Sequence, residues 1–211
     1  MTRRIILLNG GQEAEYFADF LEERNPSLEV TNVQTRQALE DAVAACNGRA
    51  RLISFLTDII VPKTVLEQLT LTPYNIHPGP PEYPGSHPES WAIWEGAETY
   101  GVTAHEMVSK VDAGAIVAVL RYPMPDNPRR IALNDFTYAQ ALKVFAVVAA
   151  HCADSDDPMP RMQDRWGMKK RTKKDFAALC APTLDIAPEA LKTLEAACGP
   201  DLNYPRPQQS A

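Results

Sequence analysis

The sequence predicts an α/β fold, with a doubly wound, mostly parallel β-sheet that carries helices on both faces. The first observation behind this prediction is the continuous apolar run Ile5–Leu8, which stops at Gly10-Gly11 and is typical of a strand buried in a parallel sheet. The second is the regular alternation of short apolar runs with amphipathic segments. With 211 residues, 45% of them hydrophobic, the chain can bury one large core and still carry an extension.

Each element follows from its local pattern. Apolar runs predict strands at residues 5–8, 28–33, 52–56, 74–77, 100–107 and 115–122. Amphipathic spacing predicts helices at about residues 13–23, 36–46, 62–69, 88–95 and 135–153. Pro62 and Pro88 suit the first turn of a helix, and Gly96 suits a helix end. The resulting order of elements is Rossmann-like.

A domain boundary is predicted in the acidic, proline-containing stretch 154–160. It divides the chain into a main domain, residues 1–157, and a C-terminal extension, residues 158–211. The extension contains six Lys or Arg in the ten residues 165–174. A run of this kind is usually a solvated surface, and the alternative is a site for an anion.

Composition narrows the classes of function. The net charge of −6 argues against general binding of nucleic acid. No uninterrupted apolar run reaches 18 residues, so no membrane span is expected. The four cysteines are widely spaced without a CxxC pair, which favours free thiols and a cytoplasmic location. The four histidines are too scattered to predict a metal site.

The residues best suited to chemistry are Asn75 and His77, at the end of the fourth predicted strand. Side chains two apart on a strand point to the same side, and ligand sites gather at this edge of a parallel sheet. An amide N–H can stabilise an oxyanion, and an imidazole can move a proton near neutral pH. Asp112, on a later predicted loop, can orient His77. Taken alone, the Asn-x-His triplet is more typical of an ordinary loop Asn and a half-buried His, and the stiff proline-rich loop and the downstream Asp112-Ala113-Gly114 favour a catalytic pair instead.

Five motifs in order give the chain a resemblance to the formyltransferases that use 10-formyltetrahydrofolate, including those acting on methionyl-tRNA, glycinamide ribonucleotide and amino sugars. The resemblance is strongest over residues 52–119. It implies that Asn75 holds the oxyanion, that His77 is the general acid and base, and that Asp112 positions His77. The motifs are Asn75-Ile76-His77-Pro78, Tyr83-Pro84-Gly85, Trp91-Ala92-Ile93, Gly101-Val102-Thr103 and Val111-Asp112-Ala113-Gly114-Ala115-Ile116-Val117.

The resemblance also implies where the two substrates bind, and it requires no metal. The pterin ring of the folate would lie between two loops, formed by Ile59, Ile60 and Val61 on one side and by Val108, Ser109, Lys110, Val111 and Asp112 on the other. On composition alone, the Ile-Ile-Val run would be ordinary core. The proline-rich loop 80–88 would form a wall of the amine pocket, with Tyr83 and His87 as its contacts.

Three departures from the family pattern bear on size and substrate. Only about 20 residues separate the second and third predicted strands, so the sheet should lack one strand–helix unit. The usual Ser-Leu-Leu-Pro after the catalytic His is replaced by Gly79-Pro80-Pro81-Glu82. No Arg flanks Gly85, which argues against an acceptor held by its phosphate at this point. The basic run at 165–174 is the remaining candidate for an anion, whether a substrate phosphate, the folate glutamate tail or RNA.

These observations predict an N-formyltransferase that acts on a small-molecule amine, and a homodimer is the assembly we expect. Two alternatives stay open at this point. One is a formyl-folate hydrolase or a formyl-transfer domain of the hydrogenase-maturation type, whose Asn-Ile-His-Pro-Gly-Pro-Pro loop is similar to the loop that begins at Asn75. The other is a folate-binding or scaffold protein that is not an enzyme, against which the intact Asn75, His77 and Asp112 argue.

Overall fold

A computed structural model of the chain describes residues 3–204. Six strands form one sheet, and the helices pack around it. The strands are β1 (Arg4–Leu8), β2 (Glu29–Val33), β3 (Arg51–Phe55), β4 (Tyr74–His77), β5 (Thr99–Glu106) and β6 (Ile116–Pro123). The helices are α1 (Ala14–Arg24), α2 (Arg36–Ala45), α3 (Lys63–Gln68), α4 (Pro88–Trp94), α5 (Arg130–Asp154), α6 (Lys173–Leu179) and α7 (Pro188–Cys198), followed by a 3₁₀ turn (Gly199–Asp201).

The sheet has the order β2-β1-β3-β4-β5-β6. The first four strands in this order run parallel, and β5 and β6 are antiparallel to their neighbours. The predicted α/β fold with a mostly parallel sheet is therefore confirmed. Because β5 runs against β4, its carboxyl end lies beside the amino end of β4, with His105 paired to Asn75 and Thr103 to His77.

The core is divided between the two faces of the sheet. In β1, Ile5 and Leu7 join one apolar cluster while Ile6 and Leu8 join the other, as the two-residue period of a strand requires. The first cluster is built on α1 and α5, and the second on α2 and α3. The buried β1 run predicted from sequence is thus shared between both layers.

The most tightly packed aromatic contact in the core involves Phe145, which is 1% exposed. Its ring stacks on Phe17 at a centroid distance of 3.6 Å and meets Phe55 edge-on at 5.8 Å. Phe145→Ala should lower the free energy of unfolding by about 3–5 kcal/mol, because it removes transfer energy and leaves a cavity. Phe136, on the same helix but 48% exposed, is the matched control and should cost less than about 1 kcal/mol as Phe136→Ala. If urea titrations gave the same loss of unfolding free energy for Phe145→Ala and Phe136→Ala, this account of the core would be contradicted.

Helix α5 begins at Arg130, five residues before the predicted start. Leu133 explains the difference, because it is 1% exposed and gives the added first turn a buried contact. By length and composition the helix also passes as a membrane span, with a mean hydropathy of 1.3 over an 18-residue window. Nine of its residues are buried within the protein, which is the pattern of a core helix: Leu133, Thr137, Ala141, Val144, Phe145, Val148, Ala149, Cys152 and Ala153.

The residues after the predicted boundary pack against the rest of the molecule. The Met159 amide donates to the Tyr74 hydroxyl at 2.7 Å, and the Arg161 guanidinium binds both carboxylate oxygens of Glu106 at 2.8 and 2.9 Å. Further along, α6 and α7 form an apolar cluster with Trp91 of α4. The division of the chain at residue 157 stays a prediction, and these contacts bring the extension close to the predicted site.

All four cysteines are buried as free thiols.

Candidate active site

Asn75, His77 and Asp112 lie together at one edge of the sheet, as the sequence predicts. Asn75 and His77 project to the same side of β4 because they are two residues apart. Asp112 lies on the loop between β5 and β6, where its backbone adopts the left-handed conformation with φ of 46°. All three residues line a cavity with a volume of about 880 Å³. The structure brings the three groups together, and their individual roles stay predictions.

The imidazole of His77 is 4% exposed. Its Nε2 lies 3.0 Å from the Tyr83 carbonyl oxygen. A carbonyl can only accept, so we assign the proton of the neutral ring to Nε2. This leaves Nδ1 unprotonated, 3.7 Å from Oδ2 of Asp112. Burial lowers the pKa of His77 below its usual value and outweighs the opposing effects of Asp112 and the Tyr83 carbonyl. His77 is therefore neutral at pH 7 and can act as a base.

The carboxylate of Asp112 lies between the Gly85 amide and the rings of His77 and His105. Its Oδ2 accepts a hydrogen bond from the Gly85 amide at 2.8 Å, and its Oδ1 lies 3.4 Å from Nε2 of His105. Burial raises the pKa of Asp112, but the neighbouring His77, His105 and Gly85 amide together lower it to about 2. Asp112 is therefore ionised throughout the pH range in which His77 titrates.

His105 joins the site through the register of β5 with β4. Its Nδ1 lies 2.8 Å from the Glu106 carbonyl, so Nδ1 carries the proton and Nε2 is the acceptor. The Asn75 amide nitrogen donates to this Nε2 at 3.1 Å. This contact fixes the orientation of the Asn75 amide and leaves its second N–H available. The sequence does not place His105 beside Asn75, because strand register cannot be derived from one strand alone.

The loop after β4 explains why Gly79 replaces the usual Ser. A Cβ at Gly79 would lie 2.7 Å from Nε2 of His77 and 2.6 Å from a Pro88 side-chain atom. The glycine thus allows the His77 ring and the start of α4 to approach the loop closely. Gly85 has φ of +101°, and a Cβ there would lie 2.0 Å from the Arg171 carbonyl oxygen. A side chain at Gly79 would collide with neighbouring side chains, and one at Gly85 would collide with backbone, so both positions favour glycine.

The residues predicted to hold the folate all line the cavity: Ile59, Ile60, Val61, Val108, Ser109, Lys110, Val111 and Asp112. The Ile-Ile-Val run is only partly core, since Val61 is 7% exposed whereas Ile60 is 68% exposed. Val108 and Val111, from the opposite loop, are 44% and 38% exposed. The cavity therefore has apolar side chains on two opposed loops.

The two residues predicted to contact the amine are placed differently. His87 lines the cavity, with its ring stacked on Phe176 at a centroid distance of 3.8 Å. Tyr83 is not among the lining residues, because its side chain packs against the apolar clusters around α4. Its backbone carbonyl is what reaches the site, through Nε2 of His77. The contact of the Tyr83 side chain with substrate stays a prediction, and the side chain does not line the cavity in this structure.

Sequence reasoning missed several residues of the site. Glu89, 5% exposed, lines the cavity with a carboxylate oxygen 3.7 Å from Nδ1 of His87. Tyr138 of α5 also lines it and donates to Glu13 at 2.6 Å. Trp166 contacts the rings of both His77 and His105. A signal for Trp166 was present, since a tryptophan within a charged run needs an apolar partner elsewhere.

The basic run forms part of the cavity wall, and the charges of Lys170, Arg171 and Lys173 are engaged by neighbouring groups. Lys170 Nζ donates to the Val111 carbonyl at 2.9 Å, and Lys173 pairs with Asp58 at 3.2 Å. Arg171 binds Glu95 and lies 4.1 Å above the ring of Trp91. Within residues 3–204, no group of three or more His, Cys, Asp or Glu is arranged to hold a metal ion.

Comparisons with known proteins identify the family and the fold. Residues 13–144 match the family described as Formyl transferase. A sugar N-formyltransferase from Shewanella sp. has 17% identity and a TM-score of 0.78, covering 100% of this chain and 95% of that one. An N-formyltransferase from Helicobacter canadensis, solved with folinic acid and dTDP-3-aminofucose, has 13% identity and a TM-score of 0.69, covering 93% and 80%.

A longer protein shares the fold over part of its length. HypX from Aquifex aeolicus, solved with tetrahydrofolic acid, has 20% identity and a TM-score of 0.59. The match covers 95% of this chain and 35% of HypX. These likenesses establish the fold, and the family match spans more than half of the sequence. The chain therefore belongs to the formyl transferase family and is a formyltransferase.

Proposed function

We propose that this enzyme transfers a formyl group from 10-formyltetrahydrofolate to a primary amine of a small molecule. The observation that carries the proposal is the set of Asn75, His77 and Asp112 in one cavity, beside two apolar loops. The polar groups suit the chemistry of the formyl carbon. The apolar loops suit an aromatic ring beside it.

The donor side fits a folate. Ile60, Val108 and Val111 expose apolar side chains at the cavity, and a flat pterin ring would cover them. The ligands named for the two related structures, tetrahydrofolic acid in HypX and folinic acid in the Helicobacter enzyme, support the same class of donor. The donor supplies a formyl group bound to nitrogen, whose carbonyl carbon is open to attack by an amine.

The chain's own residues account for the charges and protons of the transfer. As the amine nitrogen bonds to the formyl carbon, negative charge grows on the formyl oxygen, and the free N–H of Asn75 stabilises it. Nδ1 of His77 takes the proton that the amine loses, and the Asp112 carboxylate stabilises the imidazolium. The bond between the formyl carbon and the folate nitrogen then breaks, and His77 returns the proton to that nitrogen.

The acceptor is proposed to be small because the reacting groups lie within a cavity of about 880 Å³. An amino sugar is a reasonable first candidate, since the Helicobacter enzyme was solved with dTDP-3-aminofucose. No Arg flanks Gly85 in the sequence. Arg171 of the extension pairs with this loop through its backbone, and its guanidinium is bound to Glu95. The acceptor is therefore proposed to be held by groups other than an arginine at this loop.

The pH dependence of turnover tests the assignment of His77 as the base. Only neutral His77 can accept a proton, and burial keeps its pKa below 6.5. The rate should therefore hold as pH falls to 6.5 and decline only below it. We expect the acidic limb of kcat/KM to have an apparent pKa below 6.5, measured from about pH 5 to about pH 8. A midpoint above 6.5, with the fold intact by circular dichroism, would contradict this role.

The proposed reaction is tested by incubating the protein with 10-formyltetrahydrofolate and following release of tetrahydrofolate by absorbance. The acceptors are amino sugars, nucleotide-linked amino sugars and amino acids, each with a matched compound that has hydroxyl in place of the amine. Release only with an amine, and a formylated product by mass spectrometry, supports the transferase. Release without any amine identifies a hydrolase. Binding without release identifies a folate-binding protein.

A further inference from the structure

We propose that Trp166, in the C-terminal extension, is a positioning residue that holds the His77 and His105 rings and excludes water from them. The inference rests on the proposed role of His77 as the base. It gives the extension a part in the reaction, although the residues that match the family end at 144.

The contacts of Trp166 converge on the reacting groups. The indole lies 5.7 Å from the centroid of His77 and 5.0 Å from that of His105, with its plane at 74° and 89° to theirs. Its Nε1 donates to the Gly114 carbonyl at 2.8 Å. Gly114 is two residues after Asp112, so the same indole contacts both histidines and the loop that carries the carboxylate.

Trp166 contacts these rings from outside the cavity. It is not among the lining residues, whereas His77 and His105 are. The indole therefore covers a side of the imidazoles that substrate does not occupy. This position suits a residue that fixes the rings and keeps them dry rather than one that contacts the amine or the folate.

The segment around Trp166 contacts both loops of the site. Its side chains reach the Asp112 loop, through Trp166 Nε1 to the Gly114 carbonyl and Lys170 Nζ to the Val111 carbonyl, and its backbone pairs with the proline-rich loop. The Gly167 amide donates to the Pro81 carbonyl at 2.8 Å, and the Arg171 amide donates to the Pro84 carbonyl at 3.0 Å. The Ser86 amide returns a bond to the Arg171 carbonyl at 2.9 Å. Segment 166–171 thus joins the loop that supplies the Tyr83 carbonyl to His77 with the loop that supplies Asp112.

The expected consequence is a change in the protonation of His77. The titratable groups that act on His77 are Asp112 from the β5–β6 loop, His105 from β5 and Glu89 from α4. Asp112 and Glu89 raise the pKa of His77 and His105 lowers it, but burial is the largest influence and lowers it. Removing the indole admits water, which weakens the effect of burial, so the pKa of His77 should rise toward 6.5.

The test uses the full chain with Trp166→Ala and Trp166→Phe, and Trp94→Ala as the control for loss of an indole elsewhere. NMR titration of ¹³C-labelled histidine gives the pKa of His77 without substrate, with its signal assigned from a His77→Gln variant. We expect Trp166→Ala to raise the pKa of His77 and move the acidic limb of turnover to higher pH. It should also lower kcat roughly 10-fold with little change in KM for 10-formyltetrahydrofolate. In Trp166→Phe the pKa of His77 and kcat should both be close to wild type, and Trp94→Ala should change neither the pKa nor kcat.

Unchanged titration of His77 in Trp166→Ala, in a folded protein, would overturn the proposal. Should that variant unfold, Trp166→Leu takes its place, because leucine keeps an apolar side chain but is too small to cover both rings. Because the NMR titration needs no substrate, it tests the role of Trp166 separately from the proposed formyl transfer. A wild-type protein that transfers no formyl group would refute the proposed function, while the effect of Trp166 on His77 would still be decided by its titration.

Discussion

His77→Ala should abolish nearly all formyl transfer, with kcat falling about 10³-fold, within the range for loss of a general acid and base. The imidazole is the group positioned to take a proton beside the Asn75 amide and the Asp112 carboxylate. Because this interaction strengthens in the transition state, kcat should fall far more than KM rises. Initial rates with 10-formyltetrahydrofolate and the identified amine measure both constants.

His151→Ala is the matched control for this experiment. His151 lies on α5 and does not line the cavity. Its Nε2 bonds the Asp157 carbonyl at 2.8 Å. Its loss should leave kcat within about 2-fold, as expected for a residue away from the site. If His77→Ala, folded and able to bind folate, kept a rate close to wild type, the base would have to be a different residue.

Asp112→Asn should lower kcat by a similar factor for a different reason. Its charge lies 3.7 Å from Nδ1 of His77, a distance at which a unit charge is worth about 4 kcal/mol at an effective dielectric constant near 20. Loss of that stabilisation of the imidazolium corresponds to about 10³-fold in rate. Asparagine preserves the shape and an oxygen that can accept from the Gly85 amide. The half-exposed Asp154, paired with Arg24, provides the control as Asp154→Asn.

Stability at low pH gives a second measure of the Asp112 charge, independent of turnover. Its pKa falls from 3.8 to about 2 on folding, so its contribution is present above pH 4 and is lost as pH falls toward 2. The difference in unfolding free energy between wild type and Asp112→Asn should therefore narrow by about 1 kcal/mol from pH 6 to pH 3. A difference that stays constant over this range would mean that the carboxylate is not held as described.

The first half of the chain could be predicted well because its signals are local. The strand at Ile5–Leu8 and the helix over Arg36–Ala45 follow from periodicity in a few neighbouring residues. Asn75 and His77 were predicted to share a side because strand geometry alone decides it. The helix start at Arg130 was missed because it depends on burial of Leu133 by distant residues.

Contacts distant in sequence could not be predicted in the same way. His105 reaches Asn75 only because β5 pairs antiparallel with β4 in one register, and a shift by one residue would turn it to the other face. The Tyr83 side chain packs in an apolar cluster and leaves its carbonyl to His77, a choice that depends on the helices around it.

The sequence by itself determined the class of fold, the catalytic Asn75, His77 and Asp112 as candidates, and the apolar loops at residues 59–61 and 108–111. These depend on short-range periodicity and on motifs within a few residues. Only the tertiary structure decided that Trp166 lies against both histidines, with its Nε1 bonded to Gly114, 52 residues away in sequence. Such a contact depends on how the extension crosses the sheet and which apolar surface is left for an indole, and no local pattern encodes either.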